Sequence, residues 1–170
     1  MGLAVPTAVM VATGRGAASG VLIKGGEPLE RLASVDTVVF DKTGTLTAGV
    51  LRVVGITPAP GVDATTLLAH VAAVERRSEH PLATAIVRHA EAQGLSIPEA
   101  AEFSIVPGQG AQAVLGSHRV MVGSAGFLLR AGVESASLVA AADAAAMQGQ
   151  TPVLVAIDRR PAGVIALADM

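Results

Sequence analysis

The sequence predicts an α+β fold over residues 49–168, an antiparallel sheet flanked by helices. Short runs of β-branched and aliphatic residues recur between clusters of Gly, Pro and Asp, which is the punctuation of strands and turns. Two of the turns, Gly116-Ser117-His118 and Asp158-Arg159-Arg160-Pro161, are too short for the crossover that parallel strands need. The helical stretches come in pairs between groups of strands, not singly after each strand.

The elements follow in order. Residues 1–14 carry no charge, but Pro6 lies inside the run and Arg15 ends it. A spanning helix needs about 20 apolar residues, so the run is too short to cross a bilayer. It has no basic region before it, as a signal peptide requires, and Pro6 stands where myristoylation needs Ser or Thr. It reads as the end of a hydrophobic helix. Residues 25–32 read as a Gly-Gly turn and a short helix, and Asp36 to Phe40 as a buried strand opening into Asp41-Lys42-Thr43-Gly44-Thr45.

Residues 50–57 are strand-like and stop at Pro58-Ala59-Pro60-Gly61. Asp63 is a good N-cap for a helix running to about Arg76, with Leu67, Leu68, Val71 and Val74 as its apolar face. Ser78 is expected to cap a second helix, with Pro81 in its first turn and Gly94 at its end. Strands are expected at 101–106, 111–115 and 119–122, helices at 125–131 and 135–148, and closing strands at 152–157 and 162–167.

Composition closes several routes. Of 170 residues, 51% are apolar and 15% charged, which excludes a disordered tail. There is no cysteine, so neither a disulfide scaffold nor a Cys-based zinc site exists within the chain. With a net charge of -2 and no Tyr or Trp, nucleic acid is a poor candidate partner. Only three aromatics are present, so the core must be built from Ala, Val, Leu and Ile, with close helix packing and ordinary or low stability.

The string Asp41-Lys42-Thr43-Gly44-Thr45-Leu46-Thr47 carries the strongest chemical signal. A carboxylate at a strand end, backed by hydroxyls and loop amides, can attack a phosphoryl group whose oxygens the loop holds. An isolated Asp-x-Thr-Gly is as readily an Asx turn, but the seven-residue string is more specific than that. It resembles the phosphorylation motif of P-type ATPases. The resemblance implies an aspartyl phosphate at Asp41, Mg²⁺ contacts from Asp41 and the Thr43 carbonyl, and a phosphate loop shaped by Thr45, with Lys42 between them in the motif. Related haloacid-dehalogenase phosphatases carry a second Asp, as general acid and base, where Thr43 stands here. Threonine cannot take or give that proton, so a phosphoenzyme should persist.

Ser78-Glu79-His80-Pro81-Leu82 resembles the His-Pro motif in the nucleotide-binding domain of heavy-metal-transporting P-type ATPases, in which Glu75 also corresponds to an adenine-contacting residue. An imidazole can stack on or hydrogen-bond a base, and a carboxylate can accept from an exocyclic amine. Gly108 and Gly110 match that family's Gly-x-Gly, where the backbone approaches the nucleotide. Gly123-Ser124 matches its Gly-Asn pair except that Ser124 replaces Asn, which shortens the polar reach and implies weaker ATP binding. His70, His89 and His118 have no metal-site spacing and read as surface or turn residues.

The resemblance covers nearly the whole chain. It implies a membrane-helix end and linker at 1–34, the first strand of an incomplete α/β haloacid-dehalogenase-like phosphorylation domain at 35–48, and a nucleotide-binding domain at 49–168. It also implies ATP and Mg²⁺ as cofactors and a transported heavy-metal cation, copper first, bound outside this chain. Membrane helices, an actuator domain and the rest of the phosphorylation domain would be partners at the cytoplasmic face of a membrane. The family's metal-ligand motif before Gly2 and its Mg²⁺ carboxylate motifs after Asp169 do not occur, so the expectation is a middle piece that binds nucleotide without turnover. The alternative is a stand-alone regulatory or vestigial nucleotide-binding module. A small phosphatase is disfavoured by Thr43.

Overall fold

The structure, a computed structural model, describes residues 4–40, 45 and 49–169. The chain forms two compact units, Met1–Phe40 and Asp41–Met170. In the first, helix α1 (Ala4–Ala18) takes Pro6 in its first turn, where a missing N–H leaves no bond unmade. Gly20, at φ +81°, ends it: the Val21 N–H reaches back to the Gly16 carbonyl at 2.8 Å and the Gly20 N–H to Ala17 at 3.0 Å. Helix α2 (Glu27–Leu32) follows, and Gly26 at its start lies against the Val9 methyls.

The strand expected at 36–40 is not formed. Residues 35–40 have no regular structure, and Val38, Val39 and Phe40 are exposed. A strand is stable only when a neighbour takes up its N–H and C=O groups, and no described strand pairs with this one. Among the described residues no helix is long and apolar enough to cross a membrane.

The second unit is the α+β sheet. Strands β1 (Leu51–Pro58), β2 (Ala101–Val106), β3 (Gly110–Leu115), β4 (His118–Gly123), β5 (Thr151–Ile157) and β6 (Arg160–Asp169) pair antiparallel in the order β1-β6-β5-β4-β3-β2. The unit's first and last strands are neighbours, with Leu51 opposite Asp169 and Pro58 opposite Gly163. The β5–β6 turn holds Asp158 and Arg159 at φ +49° and +60°, the twist that a tight hairpin demands. The Asp158 carboxylate accepts from the Arg119 N–H at 2.9 Å and meets His118 Nδ1 at 2.6 Å, which braces the turn against β4. The His118 bond first, then the Arg119 N–H, hold the Asp158 carboxyl below its ordinary range.

Helices cover both faces. Alternation along the strands sends Val120, Val122, Val153, Val155, Ile165 and Leu167 to one face, under α3 (Ala64–Glu75) and α4 (Pro81–Ala92). It sends Met121, Leu154, Ala156 and Val164 to the other, under α5 (Ala125–Arg130) and α6 (Ala136–Met147). Leu67, Leu68, Val71 and Val74 of α3 are fully buried, as their spacing predicts. Asp63 caps α3, its carboxylate accepting from the Thr66 N–H at 2.8 Å and from the Thr65 and Thr66 hydroxyls. The Thr65 bond first, then those of Thr66, lower its pKa to about 2.

The cap of α4 differs from expectation. His80, not Ser78, is the N-cap residue, its Nδ1 accepting from the Leu82 N–H at 3.2 Å, while Ser78 Oγ accepts from the His80 N–H at 3.3 Å. The reason is Pro81: it occupies the first helical position, so the preceding residue is held in the extended conformation that a cap needs, and His80 has ψ 140°.

Candidate functional site

One end of the sheet opens into a cleft of about 280 Å³. Antiparallel order brings the end of β2, the start of β3, the end of β4 and the start of β5 to the same edge, and the α3–α4 connection crosses above them. Glu75, Ser78, His80, Gly108, Gly110, Gly123 and Ser124 all line this cleft. Six of the seven are the candidate ligand residues of the motifs, drawn from three separate stretches of sequence; Ser78, the first residue of the His-Pro string, joins them. Asp41, Lys42 and Thr43 lie outside the described residues, and Thr45 is exposed.

Glu75 is the last residue of α3 and half-buried in the cleft wall. Burial pushes its carboxyl up to about 7, against the opposing effect of a hydrogen bond from Ser78. The group therefore changes charge near neutrality, in a cleft where, among the described residues, it is the only acidic or basic lining residue besides His80. His80 is exposed, and because its Nδ1 accepts from the Leu82 N–H, the neutral ring carries its proton on Nε2. The cap thus fixes both the ring's position and the nitrogen that donates.

The glycines divide by physical reason. Gly108 has φ +70° and open space around it, so it serves the turn and leaves the backbone accessible. Gly110 and Gly123 are register partners. A Cβ on Gly110 would lie 2.4 Å from the Val122 carbonyl and 2.6 Å from the Phe127 ring; one on Gly123 would lie 2.4 Å from the Gln109 carbonyl and 3.0 Å from the same ring. Here two backbones and Phe127 fill the space that side chains would take.

Ser124 caps α5: its hydroxyl accepts from the Phe127 N–H at 3.2 Å, while its own N–H donates to the Gln109 carbonyl at 2.8 Å. Ser124→Ala is expected to cost about 1 kcal/mol in urea unfolding, and Ser124→Asn to stay within a few tenths of wild type, since Asn is an equally good cap.

Apart from Leu82, which closes the His-Pro string, the motifs do not disclose the apolar wall. Leu82, Ile105, Val106, Val122, Pro152 and Val153 line the cleft, and Ile105 and Val106 are 51% and 40% exposed. The proximity of Ile105 and Val106 to Pro107-Gly108 is a usable signal; nothing local marks Pro152 and Val153, which arrive through sheet order. An apolar slot with a few convergent polar groups suits a flat heteroaromatic ligand with a polar edge. Among the histidines read as surface or turn residues, His70 is half-buried on α3, and burial, then His118, lowers its pKa.

The fold and the sequence define the class first. A family model for haloacid dehalogenase-like hydrolases matches residues 35–170, and the chain belongs to that family. Its particular relatives are metal pumps. A copper-exporting P-type ATPase of Mycobacterium leprae is 46% identical over 169 residues, 99% of this chain and 21% of that protein. The chain thus spans about a fifth of the length of the curated relatives that it matches. The structure of a zinc-transporting PIB-type ATPase in an E2.Pi state superposes with a TM-score of 0.77 at 40% identity, covering 98% of this chain and 27% of that one. The catalytic domain of the CPx-ATPase CopB-B, described for its conformational changes upon nucleotide binding, gives a TM-score of 0.69 at 26% identity, covering 93% and 52%.

Proposed function

We propose that the chain is the nucleotide-binding and phosphoryl-accepting part of a P-type ATPase that moves a heavy-metal cation, copper first, across a membrane. The observation that carries the nucleotide half is the convergence of Glu75, His80, Gly108, Gly110, Gly123 and Ser124 on one apolar-walled cleft. In this reading residues 49–168 are the nucleotide-binding domain, 35–48 begin the phosphorylation domain, and 1–34 lead from a membrane helix at the cytoplasmic face. Membrane helices carrying the cation, an actuator domain and the rest of the phosphorylation domain are its partners.

Adenine lies against Ile105 and Val106 with the His80 ring on it, and its exocyclic amine donates to Glu75. The backbone at Gly108, free of any side chain, runs beside the nucleotide. An Asp41 carboxylate oxygen attacks the γ-phosphorus; the bond from phosphorus to the bridging oxygen breaks, ADP leaves and the aspartyl phosphate forms. Mg²⁺, when bound, neutralises charge on the transferring group, and the Asp41 carboxylate and Thr43 carbonyl are the hard oxygen donors that suit it. With Thr43 in place of a second carboxyl, no side chain at that position activates water against the phosphoenzyme.

Titrating the full chain with ATP and ADP while following backbone amide shifts tests the reading. The expected response is centred on Glu75 to Val87 and Gly108 to Gly110. His80→Asn keeps a helix cap but removes the ring, so it is expected to fold like wild type and to bind about tenfold more weakly, the scale of one lost stacking contact. Silent amides in those segments, or unchanged affinity in His80→Asn, would rule the reading out.

A further inference from the structure

An ATP-sized ligand carries several negative charges, yet among the described residues none that lines the cleft is a Lys or Arg. A cation lies one residue contact away. The Arg130 guanidinium donates through Nη2 to the side-chain carbonyl of Gln109, which does line the cleft. The Arg130 side chain also folds back along α5 over Gly126, where a Cβ would stand 3.6 Å from Nη1. Both contacts turn the guanidinium toward the end of α5 that begins at the cleft residue Ser124, not toward its C-terminus and open solvent.

Arg130 is exposed, and among the described residues no carboxylate forms an ion pair with it. A guanidinium presents five donors, and an amide oxygen uses one of them without neutralising the charge. The rest of the fork, and all of the charge, is available to an anion. Glu75 and Arg130 also come from opposite faces of the sheet: Glu75 from α3, packed on one face, and Arg130 from α5, packed on the other. That gives the cleft a direction, with the hydrogen-bond acceptor for a base on one side and a cation on the other.

We propose that Arg130, positioned by Gln109, is the phosphate-side cation of this cleft and sets its preference for phosphorylated over unphosphorylated adenine ligands. The inference rests on the nucleotide reading above and deepens it. A guanidinium at the lip contacts phosphate oxygens by charge-assisted hydrogen bonds, and its effect is screened as salt rises.

The test compares affinities of the full chain for adenosine, ADP and ATP by the same amide titration. In wild type the polyphosphates bind more tightly than adenosine, and the margin shrinks at higher salt. Arg130→Ala is expected to reduce the ATP-to-adenosine affinity ratio about three- to tenfold while adenosine affinity stays unchanged, the worth of a partly exposed charged contact. Gln109→Glu places a carboxylate against the guanidinium and is expected to lower the ratio as well, with Arg130 still present. An unchanged ratio in Arg130→Ala, or equal loss for adenosine and ATP, overturns the proposal and makes Arg130 a brace for the Gly108–Gly110 turn. Failure of wild type to bind any of the three overturns the nucleotide reading, and this inference with it.

Discussion

Gly123→Ala is expected to destabilise the fold by about 3 kcal/mol, the upper end of what an added methyl in a packed site costs, and Gly110→Ala by a similar amount. The contacts that a methyl would make explain the size. At each position the nearest obstacle is a backbone carbonyl at 2.4 Å, belonging to Val122 for Gly110 and to Gln109 for Gly123, and the next is the backbone of the other glycine or the Phe127 ring. Val122 lies in the paired strand β4 and the Gln109 carbonyl is held by the Ser124 N–H at 2.8 Å, so neither swings away as a side-chain end can, and relief requires opening the β3–β4 hairpin where Gly110 faces Gly123. Phe127 is itself buried in the core beneath α5 and α6, so its ring has little room to retreat. Truncating Phe127 in the Gly123→Ala background therefore should not restore stability, because the Gln109 carbonyl remains. Gly108→Ala is the contrast: open space surrounds it, and the cost is the left-handed backbone alone, about 1 kcal/mol. Urea midpoints of the three variants decide the matter. Equal losses at Gly108 and Gly123 would mean that these glycines serve backbone conformation and not close packing.

That division was only half legible in the sequence. The pattern Gly108-Gln109-Gly110 shows that a turn lies there, and the resemblance gives both glycines one role at the ligand. That Gly110 also abuts Gly123 is a long-range fact of register, carried by the β3–β4 hairpin, and no local pattern announces it. The apolar face of α3 was legible because helix periodicity is a local property: Leu67, Leu68, Val71 and Val74 fall where 3.6-residue spacing puts them, and all four are buried. The cap of α4 was misassigned by two residues, since Ser78 has the better intrinsic preference but Pro81 fixes the first helical position and hands the cap to His80. The run from Asp36 to Phe40 has strand composition without a described strand beside it, and composition cannot form a ladder alone. The Gln109–Arg130 contact joins a turn to a helix 21 residues on, and Arg130 carries no motif that would single it out.

Glu75→Gln is expected to make the protein more stable at pH 8, by an amount on the order of 3 kcal/mol, and by no more than about 1 kcal/mol at pH 5. Burial raises the Glu75 carboxyl from 4.5 to about 7, so the unfolded chain ionises there first and the folded chain keeps its proton longer. Between those values the folded state binds the extra proton, and stability falls as pH rises, by about 1.4 kcal/mol per unit for one proton. Above about 7 the loss is complete: the folded protein then carries an ionised carboxylate in a site that disfavours it. Glutamine cannot ionise, so the difference between wild type and variant isolates this one group, and the other titrating residues cancel. Urea unfolding at pH 5 and pH 8 measures it; a difference that does not change with pH would mean that water reaches Glu75 freely. A fold that tolerates such a charge has a use for it under the nucleotide reading, because the ionised carboxylate is the stronger acceptor for an exocyclic amine. Binding would then draw the carboxyl's pKa down, affinity would rise with pH through neutrality, and up to about half a proton would leave per nucleotide bound near pH 7, more at lower pH. Calorimetric heats in buffers of different ionisation enthalpy report that proton directly. Glu75→Gln should abolish the release and weaken binding while it stabilises the protein, so stability and affinity would move in opposite directions at one residue.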